Sequence, residues 1–489
     1  MKNNSFKKNT LFKNFVVQDD ESILDALKKI QKNSQGVVFV CSNKKLLGVL
    51  TDGDIRRFFI KNKKNFSIKV KKVMKKTFIY LNINDSYKKI IDTLNSSIKI
   101  IPLVDNNGDV CDYANSFRLH NIPIYEPFFN TSGNEIKYVN ECMSSGWISS
   151  RGKYIELFEK KFSLLINSRY SLSVNNGTSA LILALMTLGV RSGDEVIVPN
   201  LTFMAPWNAV LQLGAIPVPV EIKKDTMCID ENLIERKISK KTKAIIIVHL
   251  YGGSPDISKI KKIVNNNNLF LIEDCAEALG SYYKKKHVGL FGDIGTFSFY
   301  GNKTITTGEG GMLVLNKSSL YSKAVLIKNH GMSDSKRYFH EVVGSNFRMT
   351  NIQAAIGLAQ LERLRLIFKK KNIINRLYYK ELKKLKSVDL IEPKKDYKNS
   401  YWLFTISLNN KSDISRDDLM KKLLLKGIET RRIFYPANEM PIYKKYFDKK
   451  DKYLVSDLFS KNTLSLPSYP IMSLSAVLEV IKELKKELN

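Results

Sequence analysis

The sequence predicts an α/β layered protein. A large domain with a mostly parallel sheet is preceded by a repeated small module and followed by a smaller α/β domain. Three observations carry this expectation. Short apolar runs alternate with helical stretches between residues 122 and 365. The first ~120 residues resemble themselves under a constant shift. The chain has 489 residues, more than one compact core holds, since domains run to ~100–200 residues.

The repeat comes first in the chain. A shift of 64 positions places Glu21 and Ser22 on Asp85 and Ser86, Leu27 on Ile91, and Val40 on Val104. Each copy reads as an entry strand, an amphipathic helix and two short strands. VVFV (37–40) and LLGVL (46–50) form the strand pair of the first copy. One such unit buries too little surface to stand alone, so the two copies are expected to pack together. The first copy ends in GVLTDGDIRR (48–57), a strand entering a helix that Thr51 caps, with Asp54 in its first turn. The shift replaces Thr51 by Asn115 and Asp54 by Arg118, so only the first copy keeps this corner. The repeat stops at HNIPIYEPFF (120–129), where two prolines favour an extended linker.

Beyond it, EVIVP (195–199), AIIIVHLYG (244–252) and LFLIED (269–274) are continuous apolar runs, as strands covered on both faces require. SALILALMTLG (179–189) and NIQAAIGLAQLERL (351–364) have helical periodicity. KGIETRRIFYP (426–436) reads as a strand and turn of the small domain. The expected domains are 1–121, divided at about 62/63, then 122–365 and 366–489.

Composition narrows the function classes. Hydrophobic residues at 44% and charged residues at 26% exclude a wholly disordered or low-complexity chain. No run approaches the ~18 apolar residues of a membrane helix, and MKNNSFKKNT lacks the apolar stretch of a secretion signal. Five cysteines without metal-ligand spacing favour a cytoplasmic setting and no metal. Lys and Arg total 79 against 47 Asp and Glu, a net charge of +32. Lysine is dispersed along the chain and no nucleic-acid-binding motif accompanies it, so nucleic acid is not an expected partner. A basic surface suits phosphorylated small molecules.

Four separated segments carry chemistry. NNGTSALILAL (175–185) opens a helix with Gly-Thr-Ser, offering backbone N–H groups and the hydroxyls of Thr178 and Ser179 to a phosphate; taken alone it serves equally as a helix cap. LIEDCAEALG (271–280) ends a strand at Asp274, at the sheet edge where ligands bind in α/β folds. In GDIGTFSFYGNKTITTGEGGMLV (292–314), an apolar run meets a turn bearing Ser298 and Lys303. Lys303 has no charged neighbours in sequence, and a lysine shielded from water becomes nucleophilic toward carbonyls. GSNFRMTNIQAAIGLAQLERL (344–364) is an Arg-bearing loop before an apolar helix.

Ser298 and Lys303 follow Asp274 by 24 and 29 residues, and the set describes a pyridoxal 5′-phosphate (PLP) site. From about residue 130 onward the chain resembles fold-type I PLP enzymes, and in detail the DegT-type sugar aminotransferases. GWISSRGKYIELFEKKF, GDEVIVPNLTF, HLYG, EDCAEALG, GDIGTFSFYGNKTITTGEGGM and FRMTNIQAAIGLAQLE carry that resemblance in order. EDCAEA, GNKTITTGEGGM and VVGSNFRMTN look most like the members that aminate a GDP-linked 4-keto-6-deoxy sugar.

The resemblance implies that Lys303 binds PLP covalently and shuttles a proton, with Asp274 on the pyridine nitrogen. Thr178, Ser179 and Ser298 would hold the phosphate, Phe203 would stack on the ring, and Glu277 would lie near the 3′-oxygen. Asn346 and Arg348 would reach from a partner subunit, giving a homodimer, with Trp147 and His330 on the substrate side. L-Glutamate is the implied donor and GDP-4-keto-6-deoxymannose the implied acceptor; a UDP- or dTDP-linked keto sugar is the alternative. GVLTDGDIRR resembles the nucleotide-binding corner of cystathionine β-synthase (CBS) domains, which implies a regulatory nucleotide at Thr51 and Asp54. A non-catalytic, nucleotide-responsive regulator is a further reading, against which the intact Lys303, Asp274 and Ser298 count.

Overall fold

The computed structural model describes residues 14–62, 65–83, 85, 87–95, 98–115, 122–129, 133–391, 396–448 and 450–488. Ser86, Arg118, residues 120 and 121 of the linker, and residue 130 lie outside them. The chain divides into two compact units, residues 1–121 with Leu424–Gly427, and the remainder.

In the first unit Val16–Gln18 pairs parallel with Val37–Ser42, which pairs antiparallel with Lys45–Thr51. Leu81–Asn82, Ile100–Val104 and Val110–Asn115 repeat that order and those directions. The helices Ile23–Asn33 and Tyr87–Thr93 start 64 residues apart. The two copies cover one another's apolar sides: Phe15 stacks on Tyr113 with centroids 4.1 Å apart, and Phe39 and Cys41 pack with Ile100 and Val110.

The second unit is built on a seven-stranded sheet. Its order is Tyr170–Val174, Gly311–Leu315, Ile294–Ser298, Phe270–Asp274, Thr242–Val248, Glu195–Pro199, Ile216–Val220. Only Gly311–Leu315 runs against the rest. Side chains alternate between two cores. Val196, Val198, Ala244, Ile246 and Leu313 face one, while Ile197, Ile245, Ile247, Met312 and Val314 face the other. Helices cover both faces, so the strands read as unbroken apolar runs.

Two expected helices shift at their ends. The helix expected from 179 begins at Gly177 and ends at Thr187, because Asn176 accepts the Ser179 N–H and caps it two residues early. The helix Asn351–Glu362 stops at Arg363, and Leu364–Leu382 follows. That second helix spans the 365/366 division: Leu364 and Ile367 enter a core of the large sheet, and Ile374, Tyr378 and Leu382 the core of the small domain. The small domain is a four-stranded antiparallel sheet, Val388–Asp389, Phe404–Leu408, Thr463–Leu466, Arg431–Arg432. Val477, Val480, Ile481 and Leu484 of the helix Leu474–Leu488 pack in the same core.

Phe158 is wholly buried, meets Phe299 edge-on at 5.3 Å, and fills the space left by Gly357, where a Cβ would lie 2.6 Å from its ring. Phe158→Ala is expected to lower stability by about 3–5 kcal/mol in denaturant unfolding, whereas Leu164→Ala, at a position 71% exposed, should stay within about 0.5 kcal/mol.

Candidate active site

Parallel strands of one sheet end on the same edge, and this geometry gathers the site. Asp274 ends Phe270–Asp274, Ser298 ends Ile294–Ser298, and Asn175 and Asn176 follow Tyr170–Val174. Asp274 is paired in register with Val248 and Thr296, so its carboxyl emerges in mid-sheet.

Lys303 points back to this edge, with its side chain 14% exposed. Its Nζ lies 3.5 Å from Glu277 Oε1 and 4.0 Å from the Trp402 ring centroid. Its backbone oxygen accepts the Tyr125 hydroxyl at 2.8 Å. Glu277 Oε2 accepts the Tyr251 N–H at 2.9 Å, and Tyr251 turns that N–H inward with a left-handed φ of 50°. Burial pushes Asp274 above the ordinary carboxylate range, opposed by the Ala276 N–H and the Lys303 charge. Burial likewise raises Glu277, against the Lys303 ammonium and the Tyr251 N–H. One amine therefore answers two buried acids.

The expected phosphate donors come together. A Cβ on Gly177 would lie 2.8 Å from the Ser298 Cβ, and one on Gly311 would lie 2.5 Å from the Asn176 oxygen. Glycine at both positions lets the helix start, Ser298 and the glycine loop close on one spot. Asn176 Oδ1 already takes the Ser179 N–H, which leaves the Gly177 and Thr178 N–H groups and the hydroxyls to face an anion. Phe203 is 59% exposed and tilted on Phe434 at 5.6 Å. Phe434 stacks on Tyr251, and Tyr251 on Trp402.

Three more expected residues form one cluster. Arg348 donates to Asn346 Oδ1 at 2.9 Å and to Asn329 Oδ1 at 3.0 Å, and its Nη2 lies 3.3 Å from His330 Nε2. The backbone beside them borders the helix start, since Asn175 N–H donates to the Phe347 oxygen. Trp147 is not drawn into either group. It is 56% exposed, and its carbonyl accepts Asn351 Nδ2 at 2.7 Å beside a cleft of about 1060 Å³ formed with Arg151 and Tyr154.

Several residues that support the site carry no local sequence signal. Glu273 is fully buried and accepts from His249 and from the N–H groups of Gly289, Phe291 and Gly292. Burial alone would raise its carboxyl, yet these donors hold it below the ordinary range and pin the strand end next to Asp274. Trp402, Tyr125 and Lys371 meet the site across 99, 178 and 68 residues of sequence, counted from Lys303, and no spacing rule reports such contacts. In the N-terminal unit, Thr51 Oγ1 donates to Asp54 Oδ2 at 2.6 Å and accepts the Asp54 N–H at 3.1 Å. Arg57 and Lys75 pair with Asp54 Oδ1. Burial would raise Asp54, but Thr51 and these cations hold it below the ordinary range. The corner is thus a helix cap with two largely exposed cations beside it.

Residues 130–485 match the model of the DegT/DnrJ/EryC1/StrS aminotransferase family, and residues 12–61 that of the CBS domain. The chain is 44% identical over 368 residues to a GDP-perosamine synthase of Vibrio cholerae, covering 75% of this chain and 99% of that one. It is 45% identical over 365 residues to a GDP-perosamine synthase of Escherichia coli O157:H7, covering 75% and 98%. Among solved structures, Spr1654 from Streptococcus pneumoniae in its PLP form superposes with a TM-score of 0.71 at 28% identity, covering 76% of this chain and 100% of that one. Helicobacter pylori PseC, an aminotransferase of pseudoaminic acid biosynthesis, gives 0.70 at 29%, covering 75% and 99%. The residues present fit PLP: a shielded amine, a buried acid at a strand end, and a hydroxyl-lined helix start kept open by Gly177 and Gly311.

Lys371 is 2% exposed, donates to the Trp402 oxygen at 2.8 Å, and is pushed down to about 7 by burial. The unfolded chain then holds a proton that the folded chain releases between pH 7 and the ordinary lysine range, so this residue makes stability rise with pH across that window. Wild-type stability should gain up to roughly 1 kcal/mol per pH unit from Lys371 between pH 7 and 9, and Lys371→Met should lack that gain. Denaturant midpoints at both pH values check it; parallel behaviour of the two proteins contradicts it.

Proposed function

The chain belongs to the DegT/DnrJ/EryC1/StrS aminotransferase family, and from that premise we propose that it moves the amino group of L-glutamate to the C4 ketone of GDP-4-keto-6-deoxymannose. The product of that reaction is GDP-perosamine, a building block for a surface glycan. It is a sugar aminotransferase, and its coenzyme is PLP. Its catalytic fold is that of PLP-dependent aminotransferases, and a CBS domain stands at its N-terminus. The observation that supports the GDP-linked acceptor is similarity spanning 98–99% of two GDP-perosamine synthases.

Bound PLP supplies an aldehyde that accepts the amino group and a ring that takes up electrons. Lys303 would hold it, and Lys303 Nζ is the base that would lift a proton from the donor and return one to the acceptor sugar. Glu277, 3.5 Å from that nitrogen, is placed to balance its charge through both transfers. Asp274 would hold the ring nitrogen in its protonated form. Thr178, Ser179 and Ser298 would bind the phosphate, Phe203 would cover the ring, and Asn346 with Arg348 would complete the site of a second copy in a homodimer. Arg348, with His330 beside it at 3.3 Å, is suited to the diphosphate of the substrate, and Trp147 would lie on the substrate side.

The N-terminal corner is read as the seat of a regulatory nucleotide, with the exposed Arg57 and Lys75 offered to its phosphates and Thr51 and Asp54 to its ribose. Among the described residues no helix is long and apolar enough to cross a membrane, and the enzyme is proposed to act in the cytoplasm.

Incubation with PLP, L-glutamate and GDP-4-keto-6-deoxymannose is expected to give the 4-amino sugar by mass, faster than UDP- or dTDP-linked analogues. Lys303→Ala should lower turnover by at least about 10²–10⁴-fold and abolish the visible coenzyme band. A preference for another nucleotide overturns the acceptor assignment, and full activity of Lys303→Ala overturns the mechanism. Added ATP, GTP or AMP should change the rate of the wild-type chain and leave that of Asp54→Ala unmoved.

A further inference from the structure

A lysine that serves as both anchor and base must return its amine to one place. Four rotatable bonds separate Nζ from the backbone, and an ångström of misplacement is worth about 10²-fold in rate. The Lys303 backbone is held on both sides: its own oxygen accepts the Tyr125 hydroxyl, and the preceding oxygen, that of Asn302, accepts the Trp402 indole N–H at 2.8 Å. The same indole lies 4.0 Å from Lys303 Nζ, so one side chain grips the peptide before the lysine and also the far end of its side chain.

Trp402 is itself fixed. It is 4% exposed, Tyr251 stacks on it at 5.6 Å and 20°, and its backbone oxygen accepts Lys371 Nζ at 2.8 Å. Lys371 is buried on the helix Leu364–Leu382, one turn before the buried Asn375.

We propose that Trp402, seated by Lys371, is a positioning residue for Lys303, its ring face holding the ammonium and its N–H holding the Asn302 carbonyl. The electron-rich face favours a nearby cation, and Glu277 Oε1 at 3.5 Å sets the direction in which the amine lies on it. Trp402 follows the helix Leu364–Leu382 in sequence yet packs in a core of the large sheet, so a late segment of the chain supplies the rest position of the amine. The inference rests on the coenzyme dependence of the family and on Lys303 as the amine that holds the coenzyme, so failure of L-glutamate as donor leaves it standing.

The test is the rate at which coenzyme-free protein captures added PLP, followed by growth of the visible band as the Lys303 amine condenses with the aldehyde and one water leaves. Trp402→Leu should slow capture by about 3- to 30-fold, part of the ~10²-fold that an ångström of misplacement costs once the amine has lost its seat and its proton. Trp402→Phe keeps a ring face and should recover to within about threefold of wild type. Lys371→Met, which touches Lys303 only through Trp402, should slow capture in the same direction, and it decides the matter where Trp402→Leu does not fold. A wild-type rate in Trp402→Leu, or Trp402→Phe as slow as Trp402→Leu, overturns the proposal. A wild-type protein that forms no band contradicts the coenzyme dependence and the proposal with it.

Discussion

A cation kept from water has to be answered by charge or by an oriented dipole nearby, and at Lys303 the answer is two acids and one aromatic face. Glu277 stands 3.5 Å away and the Trp402 ring 4.0 Å away, while the ammonium also pulls on the buried Asp274. The dependence runs in both directions. Asp274 and Glu277 are each 5% exposed, and removal of the amine would leave two acids buried side by side. The site is stable as a set and poor in any subset, which fits a centre whose amine has to bond, let go and hold a proton in turn.

The sheet makes that set possible without loops having to reach far. Strand ends deliver Asp274 and Ser298 to one edge, and Glu273 keeps that edge rigid by gathering His249 and three loop N–H groups on a single carboxylate. The chain accepts local cost for this. Tyr251 sits at a φ of 50°, unfavourable for a side chain of its size, and in return its N–H meets Glu277 and its ring joins Phe434 to Trp402.

Positions set by local pattern were legible in the sequence. Apolar runs at 195–199, 244–248 and 270–274 gave the central strands, since covering by helices on both faces leaves no polar alternation to obscure them. Asp274, Ser298 and Lys303 stood out because strand-end acids and an uncharged setting around a lysine are local features. The helix at Gly177 started earlier than periodicity implied because Asn176, a cap, is invisible to an apolar count. Trp402, Tyr125 and Lys371 were missed for a different reason: each acts by a contact across a long stretch of chain. Trp147, expected on the substrate side, has its carbonyl on Asn351 Nδ2, a contact across 204 residues that its motif does not reveal. The CBS corner was readable as a cap and proved to be one; the two cations that flank its acid come from Arg57 and from Lys75, a residue of the following segment.

One lysine out of many, Lys303, is proposed as the coenzyme's covalent partner. Borohydride reduction of the PLP-loaded protein, followed by peptide mapping by mass spectrometry, tests it most directly. The reduced coenzyme is expected on the peptide containing Lys303 and on no other. Label on a different lysine, or on none, would contradict the account.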